Sequence, residues 1–340
     1  MASSQLLLSF AAAVPAALLS GVLTWAIRPL LVRIALARPN GRSSHRIPTP
    51  QGAGIAVTAA TLIAAVTVIV FAGTAETKIP VAVFGATLFI AAVGFADDVN
   101  TIPVVPRLLL QGAAVAAVIL AAPENLRIVP ACPFWLERGL LFLAGLWFVN
   151  LVNFMDGLDL MTVAEIVPIT GAVVLLGWLA ELPASTTLAA AALLGAMLGF
   201  APFNRPVAKV FLGDVGSLPI GLLVGWCLLQ LAWHQHFAAA LLLPLYYLTD
   251  ATVTLFRRMA RREPFWAAHR THFYQRATDN GFPVWRVVSE VFALNVLLAA
   301  LAIGSAMTSS TAIATLLLVV GGIATVLLMH RFSRRQPSAG

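Results

Sequence analysis

Eleven times along a 340-residue chain an apolar run returns that is long enough to cross a bilayer, and no other feature restricts the fold as much. A hydrocarbon core of ~30 Å takes about 20 mostly apolar residues per helix, because lipid offers no partner to an exposed N–H or C=O. The runs lie near residues 4–27, 51–72, 79–96, 104–122, 138–154, 160–180, 186–201, 217–233, 237–256, 286–305 and 311–330. The fifth and seventh are short or interrupted, so ten spans is the alternative count. Hydrophobic residues make up 60% of the chain and charged residues only 10%, with a mean hydropathy of +0.92. Soluble domains carry about 25% charged residues. The expected fold is an all-α polytopic membrane protein, one transmembrane domain over residues 1–335 followed by a short tail at 336–340. The first run is too long for a signal-peptide core and has no A-x-A site before its basic flank, so it is expected to be retained.

Lys and Arg concentrate in cytoplasmic loops, which orients the bundle. With the N-terminus outside and the C-terminus in the cytoplasm, 18 of the 21 basic residues fall inside, and only Lys78, Arg127 and Arg138 fall outside. The net charge of +7 therefore lines one membrane face, where anionic headgroups and phosphorylated substrates lie. That placement argues against nucleic acid as a partner. Cys132 and Cys227 fit neither a disulfide framework nor a metal site.

On this topology the carboxylates Asp97, Asp98, Asp156, Asp159 and Asp214 share the cytoplasmic face, each directly following hydrophobic sequence in FADDVN, NFMDGLD and FLGDVGS. Glu76, Glu124, Glu137 and Glu181 scatter over the outer loops and read as solvated charges. Acids gathered at helix C-termini, which carry partial negative charge, call for a compensating cation. Mg²⁺, held by one or two carboxylates together with substrate phosphates, is the natural one, with Mn²⁺ the alternative. Asn153 and Asp214 suit such sparse coordination, with Asp97 and Asp98 near enough to orient water or substrate. The longest cytoplasmic connection, RRMARREPFWAAHRTHFYQR at 257–276, supplies arginine forks together with His269, Arg270 and His272, which match phosphate oxygens. His272, in a loop on the same face as the acids, is expected in the substrate site and free of burial. A zinc site built on the H-x-x-H pair lacks a third ligand at suitable spacing. In SSHRIPTPQGAG, His45 and a turn made by Pro48, Pro50, Gly52 and Gly54 are expected to offer backbone N–H groups to an anion.

The ordered blocks IPTPQGAG, GFADDVN, NLVNFMDGLD and PFNRPVAKVFLGDVGS, followed by AHRTHFYQR, resemble the polyprenyl-phosphate N-acetylhexosamine-1-phosphate transferases over residues 40–276. The resemblance implies that Asp97 and Asp98 are the paired aspartates near metal and lipid phosphate, and that Arg107 contacts the pyrophosphate. It implies Asn153 and Asp214 as metal ligands and Asp159 at the uracil, with Asp156 an acid of branch-dependent role. It further puts His269, Arg270 and His272 at the phosphate or sugar, and Asn150 and Asn204 among substrate-binding residues. Two departures stand out: the family's D-G-x-D-G ends in Leu160, and the last loop lacks consecutive histidines. The second points away from the peptidoglycan branch and towards O-antigen or other surface-polysaccharide initiation.

The implied reaction transfers a sugar 1-phosphate from a UDP-N-acetylhexosamine to polyprenyl phosphate at the cytoplasmic face of a bacterial inner membrane, releasing UMP. Whether Asp97 or Asp98 acts as base, nucleophile or positioning group is left open, as is a homodimer. A secondary transporter would need acids at the midplane and inverted repeats, neither of which is visible. A CDP-alcohol phosphotransferase would need a D-G-x-x-A-R run, which is absent.

Overall fold

The computed structural model describes residues 2–37, 47–72, 78–179, 181–264 and 269–336. His45 lies outside them, as do Glu76 and, apart from Gln336, the expected tail. Thirteen helices occupy the described residues: α1 (Ala2–Ile34), α2 (Gly54–Ala72), α3 (Val81–Val99), α4 (Val104–Leu120), α5 (Phe134–Met155), α6 (Met161–Trp178), α7 (Ala184–Phe200), α8 (Asp214–Trp233), α9 (Phe237–Leu242), α10 (Leu245–Ala260), α11 (Phe273–Asp279), α12 (Val284–Ala306) and α13 (Thr311–Phe332). Nine of these are long and apolar enough to cross a membrane. The chain is a multi-pass membrane protein. α4 is a shorter apolar helix, and the run expected at 237–256 is not continuous. It breaks between α9 and α10 at Pro244, whose ring and missing N–H end a helix. Beyond the break, α10 is amphipathic, burying Tyr246, Tyr247 and Asp250 while exposing Val253, Phe256 and Met259.

Proline also starts helices here. Pro80, Pro103, Pro133, Pro183 and Pro283 immediately precede α3, α4, α5, α7 and α12, where the N–H they lack would have no intrahelical partner. α8 is the axis of the bundle, buried from Val215 to Trp233 except at half-buried Gly225, Leu229 and Gln230, and packed by α2, α3, α5 and α9. α1 crosses α7 closely enough that a Cβ on Gly195 would stand 1.9 Å from the Ala13 carbonyl oxygen, the close approach that small residues permit between membrane helices.

One end of the bundle gathers the ends of α1, α3, α5, α7 and α10 with the starts of α2, α4, α6, α8 and α12. Its framework is backbone: the N–H groups of Gly52 and Ala53 donate to Phe211 O, and Gly54 N–H to Leu212 O. This corrects the expectation for the PTPQGAG turn, whose N–H groups are spent on the 211–212 carbonyls instead of an anion. Charges at the opposite end also depart from expectation. Glu137 is buried, accepting Arg127 Nε and Ile128 N–H at 2.8 Å each, while Arg138 Nη2 donates to Pro123 O at 2.8 Å. These side chains hold the 121–133 loop against α5.

Candidate active site

The site begins where α3 ends against the start of α8. Asp98 accepts the N–H of Asp214 and of Val215, one with each carboxylate oxygen, both at 3.0 Å. An anion thus caps the positive end of α8 from a different helix. The approach requires Gly94, where a Cβ would lie 2.3 Å from Asp214 O. Beside it, Asp97 accepts Ile102 N–H with Oδ1 and Arg107 Nη1 with Oδ2 at 2.7 Å. The same Arg107 nitrogen lies 3.9 Å from Asp214 Oδ2. From α5, Asn153 Nδ2 donates to Asp214 Oδ1 at 2.7 Å and to Ser217 Oγ at 2.9 Å. Side chains from α3, α4, α5 and α8 therefore meet in one network in which the Asp97 and Asp214 carboxylates share the Arg107 guanidinium while Asp98 holds the start of α8.

The second wall is the 156–160 turn against the 204–213 loop. Asp159 Oδ2 accepts Ala208 N–H at 3.0 Å. Asn204 accepts Leu160 N–H at 2.7 Å with Oδ1 and donates to Val210 O at 3.0 Å, bracing the turn against the loop. Asp156 accepts the Thr162 hydroxyl. Removal from water pushes the Asp156 carboxyl up to about 6, and Asp98 and Asp159 add repulsion to that, against the Thr162 bond. Between the walls lies a cavity of about 570 Å³ lined by Asp98, Asn153, Asp156, Asp159, Asn204 and Asp214, with Gln51 and Gln275. That volume lies in the range of small-molecule sites.

The third component was only half legible. His272 is 3% exposed, with Nδ1 3.2 Å from Asp250 Oδ1 and its ring between those of His269 and Tyr274. This corrects the expectation that His272 is unburied; among the described residues, neither His269 nor His272 lines this cavity. The reason is Asp250, fully buried in α10, whose carboxylate accepts Phe273 N–H at 3.0 Å and Tyr274 N–H at 3.2 Å, together with the Tyr246 and Thr254 hydroxyls. Asp250 thus ties α11 to α10. Burial, with His272 and Arg258 nearby, pulls His269 down to about 4. Arg270 pairs with Asp279 at 3.1 Å and Thr278 at 3.0 Å. Tyr274 OH donates to Phe154 O at 3.2 Å, so close to the turn that a Cβ on Gly157 would lie 2.2 Å from it. Through α11 it is Gln275, not a histidine, that reaches the cavity.

Asn150 stands apart as well. It is buried in the bundle, donating to Gln111 Oε1 and Leu146 O at 2.8 Å each, and does not line the cavity. Sequence reading missed Asp250, Gln51, Gln111 and Gln275. Asp250 carried a signal, since an acid inside an apolar run demands partners.

The donor set fits a hard cation. The Asp214 carboxylate and the Asn153 side-chain amide face the cavity side by side, and the neighbouring Asp97 and Asp98 leave negative charge in excess. Among the described residues no three His, Cys, Asp or Glu side chains converge closely enough to hold a metal by themselves. This is the partial shell that Mg²⁺ accepts when water and substrate phosphates complete it.

Known proteins resemble this sequence across the segments that build the site. A family model described as "Glycosyl transferase family 4" matches residues 80–232, which carry most of the acids above. A probable undecaprenyl-phosphate N-acetylglucosaminyl 1-phosphate transferase of Bacillus subtilis is 26% identical over 74% of this chain and 73% of its own. Phospho-N-acetylmuramoyl-pentapeptide-transferases of Streptococcus gordonii and Shouchella clausii are 27% and 32% identical, over 70% and 64% of this chain and 80% and 70% of theirs.

Proposed function

Because the chain belongs to glycosyl transferase family 4, whose members transfer a phosphosugar to a polyprenyl phosphate, we propose that it takes N-acetylhexosamine 1-phosphate from a UDP-sugar. The acceptor is polyprenyl phosphate, and the setting is the cytoplasmic face of a bacterial inner membrane, with the N-terminus outside. The observation that carries the reading is the junction of the Asp97–Arg107–Asp214–Asn153 network with a cavity of nucleotide-sugar size.

A lipid phosphate oxygen attacks the β-phosphorus of the donor. The bond from that phosphorus to the bridging oxygen breaks, UMP leaves with the bonding pair, and a polyprenyl-diphosphate sugar remains. With a second phosphate pKa near ~6, the nucleophile is largely ionised at neutral pH and needs no strong base. The obstacle is bringing two anions together, so positioning and charge neutralisation do most of the catalysis. Bound Mg²⁺ would supply charge neutralisation at the phosphates, held by Asp214 and Asn153. Arg107, fixed by Asp97, presents its guanidinium beside Asp214. Asp98, with both oxygens on the α8 N–H groups, suits a positioning role better than a nucleophilic one. Asp159 and Asn204 shape the wall for the nucleotide, and α11 closes it through Gln275. An apolar groove of about 190 Å³ between α4, α5, α8 and α10, lined by Val118, Phe148, Trp226 and Leu248, suits the lipid tail. Its Val149 and Gly221 stand one turn from Asn153 and Ser217.

For the pathway, the His-Arg-Thr-His loop favours O-antigen or other surface-polysaccharide initiation. The peptidoglycan-precursor branch is the second reading, favoured by the Streptococcus and Shouchella relatives. Purified protein with undecaprenyl phosphate and Mg²⁺ should release UMP from UDP-N-acetylglucosamine or a stereoisomer faster than from UDP-N-acetylmuramoyl-pentapeptide. The reverse preference would move the chain to the peptidoglycan branch.

A further inference from the structure

A second polar cavity, of about 220 Å³, opens beyond α11 from the catalytic one, and nothing in the proposed reaction uses it. Arg257, Arg258 and Arg261 at the end of α10 and Arg276 on α11 line it, with Thr254 and a single acid, Glu263. Glu263 is occupied by Arg258 at 3.2 Å. Arg258 is only 8% exposed, donates one terminal nitrogen to Pro264 O at 2.9 Å, and has a buried Nε with no hydrogen-bond partner. A buried donor left unmade costs free energy, and guanidinium groups crowded together repel one another. Burial and the neighbouring Arg276 and Arg261 hold the Arg257 guanidinium below its ordinary pKa. Arg257 and Arg276 are held in register by one ring, their guanidinium carbons 5.3 and 5.8 Å from the Phe273 centroid. Four arginines around an open volume, with a single acid already paired to one of them, describe a site whose occupant is an anion with several oxygens.

We propose that this cavity binds the phosphate of an anionic membrane lipid headgroup and thereby clamps α11 to α10. A phosphate offers the planar oxygen pair that an arginine fork matches. The membrane is favoured over a soluble phosphate as its source because the apolar side of α10 is exposed directly beside the arginines, at Val253, Phe256 and Met259, one helical turn apart from each other. An amphipathic helix with apolar residues outward and arginines at its end lies at the level of headgroups. The clamp matters because adjacent residues of α11 face different cavities: Arg276 lines this one and Gln275 the catalytic one.

The test is a binding experiment that needs no substrate, so its failure is separable from failure of the transferase reading. Full-length protein in a neutral detergent is titrated with short-chain phosphatidic acid, with phosphatidylcholine of equal chain length and with inorganic phosphate, following thermal unfolding. Phosphatidic acid should raise the melting temperature saturably, while phosphatidylcholine and millimolar phosphate leave it unchanged. The R257Q/R276Q variant should bind at least about tenfold more weakly. R261Q, an exposed position that should not disturb folding, should weaken binding by a smaller factor. R334Q/R335Q, which removes equal charge near the end of the chain, should bind like wild type. Equal responses in R257Q/R276Q, R261Q and wild type, or an equal loss in R334Q/R335Q, would overturn the site. Saturation by inorganic phosphate at the same concentration would overturn the headgroup assignment.

Discussion

Leu160 is the residue at which this chain departs from its family's D-G-x-D-G pattern, and it holds φ at +62°, a conformation that favours glycine. Left-handed backbone costs a non-glycine residue ~1–2 kcal/mol, and glycine pays ~0.5–1 kcal/mol in chain entropy, so the two nearly cancel. Leu160→Gly should therefore unfold within about 1 kcal/mol of wild type. Leu160→Ile, β-branched, should lose about 1–2 kcal/mol by thermal or denaturant unfolding in detergent. Equal losses in both would mean that packing, not backbone, decides the position. Asp156 gives a pH-dependent case. Its folded-state carboxyl titrates near about 6 against about 3.9 in an unfolded chain, so folding holds the proton more tightly. The charged form then costs stability above pH 6, and the cost vanishes below pH 4 where both states are protonated. Asp156→Asn should melt a few degrees above wild type at pH 7.5 and level with it near pH 4. A constant gap across pH would refute the burial cost.

At the scale of elements, the site depends on how α11 is held and how closely α3 meets α8. Asp250 takes hydrogen bonds from α10 and from the α11 backbone as well as facing His272, so Asp250→Ala strands several buried donors, each worth ~1–3 kcal/mol. UMP release should fall by roughly ten- to a thousandfold. His272→Ala should cost less, because the Phe273 and Tyr274 N–H groups keep their acceptor. If His272→Ala were the worse of the two, His272 would act on substrate directly. Gly94→Ala forces a Cβ onto the Asp214 carbonyl and should cost ~1–3 kcal/mol while displacing Asp97 and Asp98 from Asp214. Wild-type activity and melting in that variant would show the contact to be slack. Such contacts explain what the sequence kept hidden. The acids and Asn153 were legible because motif spacing brings them to helix ends, whereas Arg107 was singled out only through the family resemblance. The burial of His272 was not, because it follows from a hydrogen-bond partner 22 residues away on a helix read as a plain span. Likewise, the N–H groups of Gly52 to Gly54 looked free until the 211–212 carbonyls met them.

For the molecule as a whole, apolar run length predicted a polytopic helical bundle, and among the described residues Pro244 divides a run that hydropathy alone joins. The acid blocks, separated by as many as 117 residues, meet at one end because α3, α5 and α8 pack together. Everything proposed for that end rests on a phosphosugar, rather than a sugar alone, being the group transferred. The most direct measurement is the mass of the lipid product and the identity of the nucleotide released, using undecaprenyl phosphate, a UDP-N-acetylhexosamine and Mg²⁺, with Asp214→Asn alongside. The expected result is UMP together with an undecaprenyl-diphosphate sugar from wild type, and neither from Asp214→Asn at ordinary Mg²⁺. UDP with a monophosphate-linked sugar, or no lipid product with any N-acetylhexosamine donor, would contradict it.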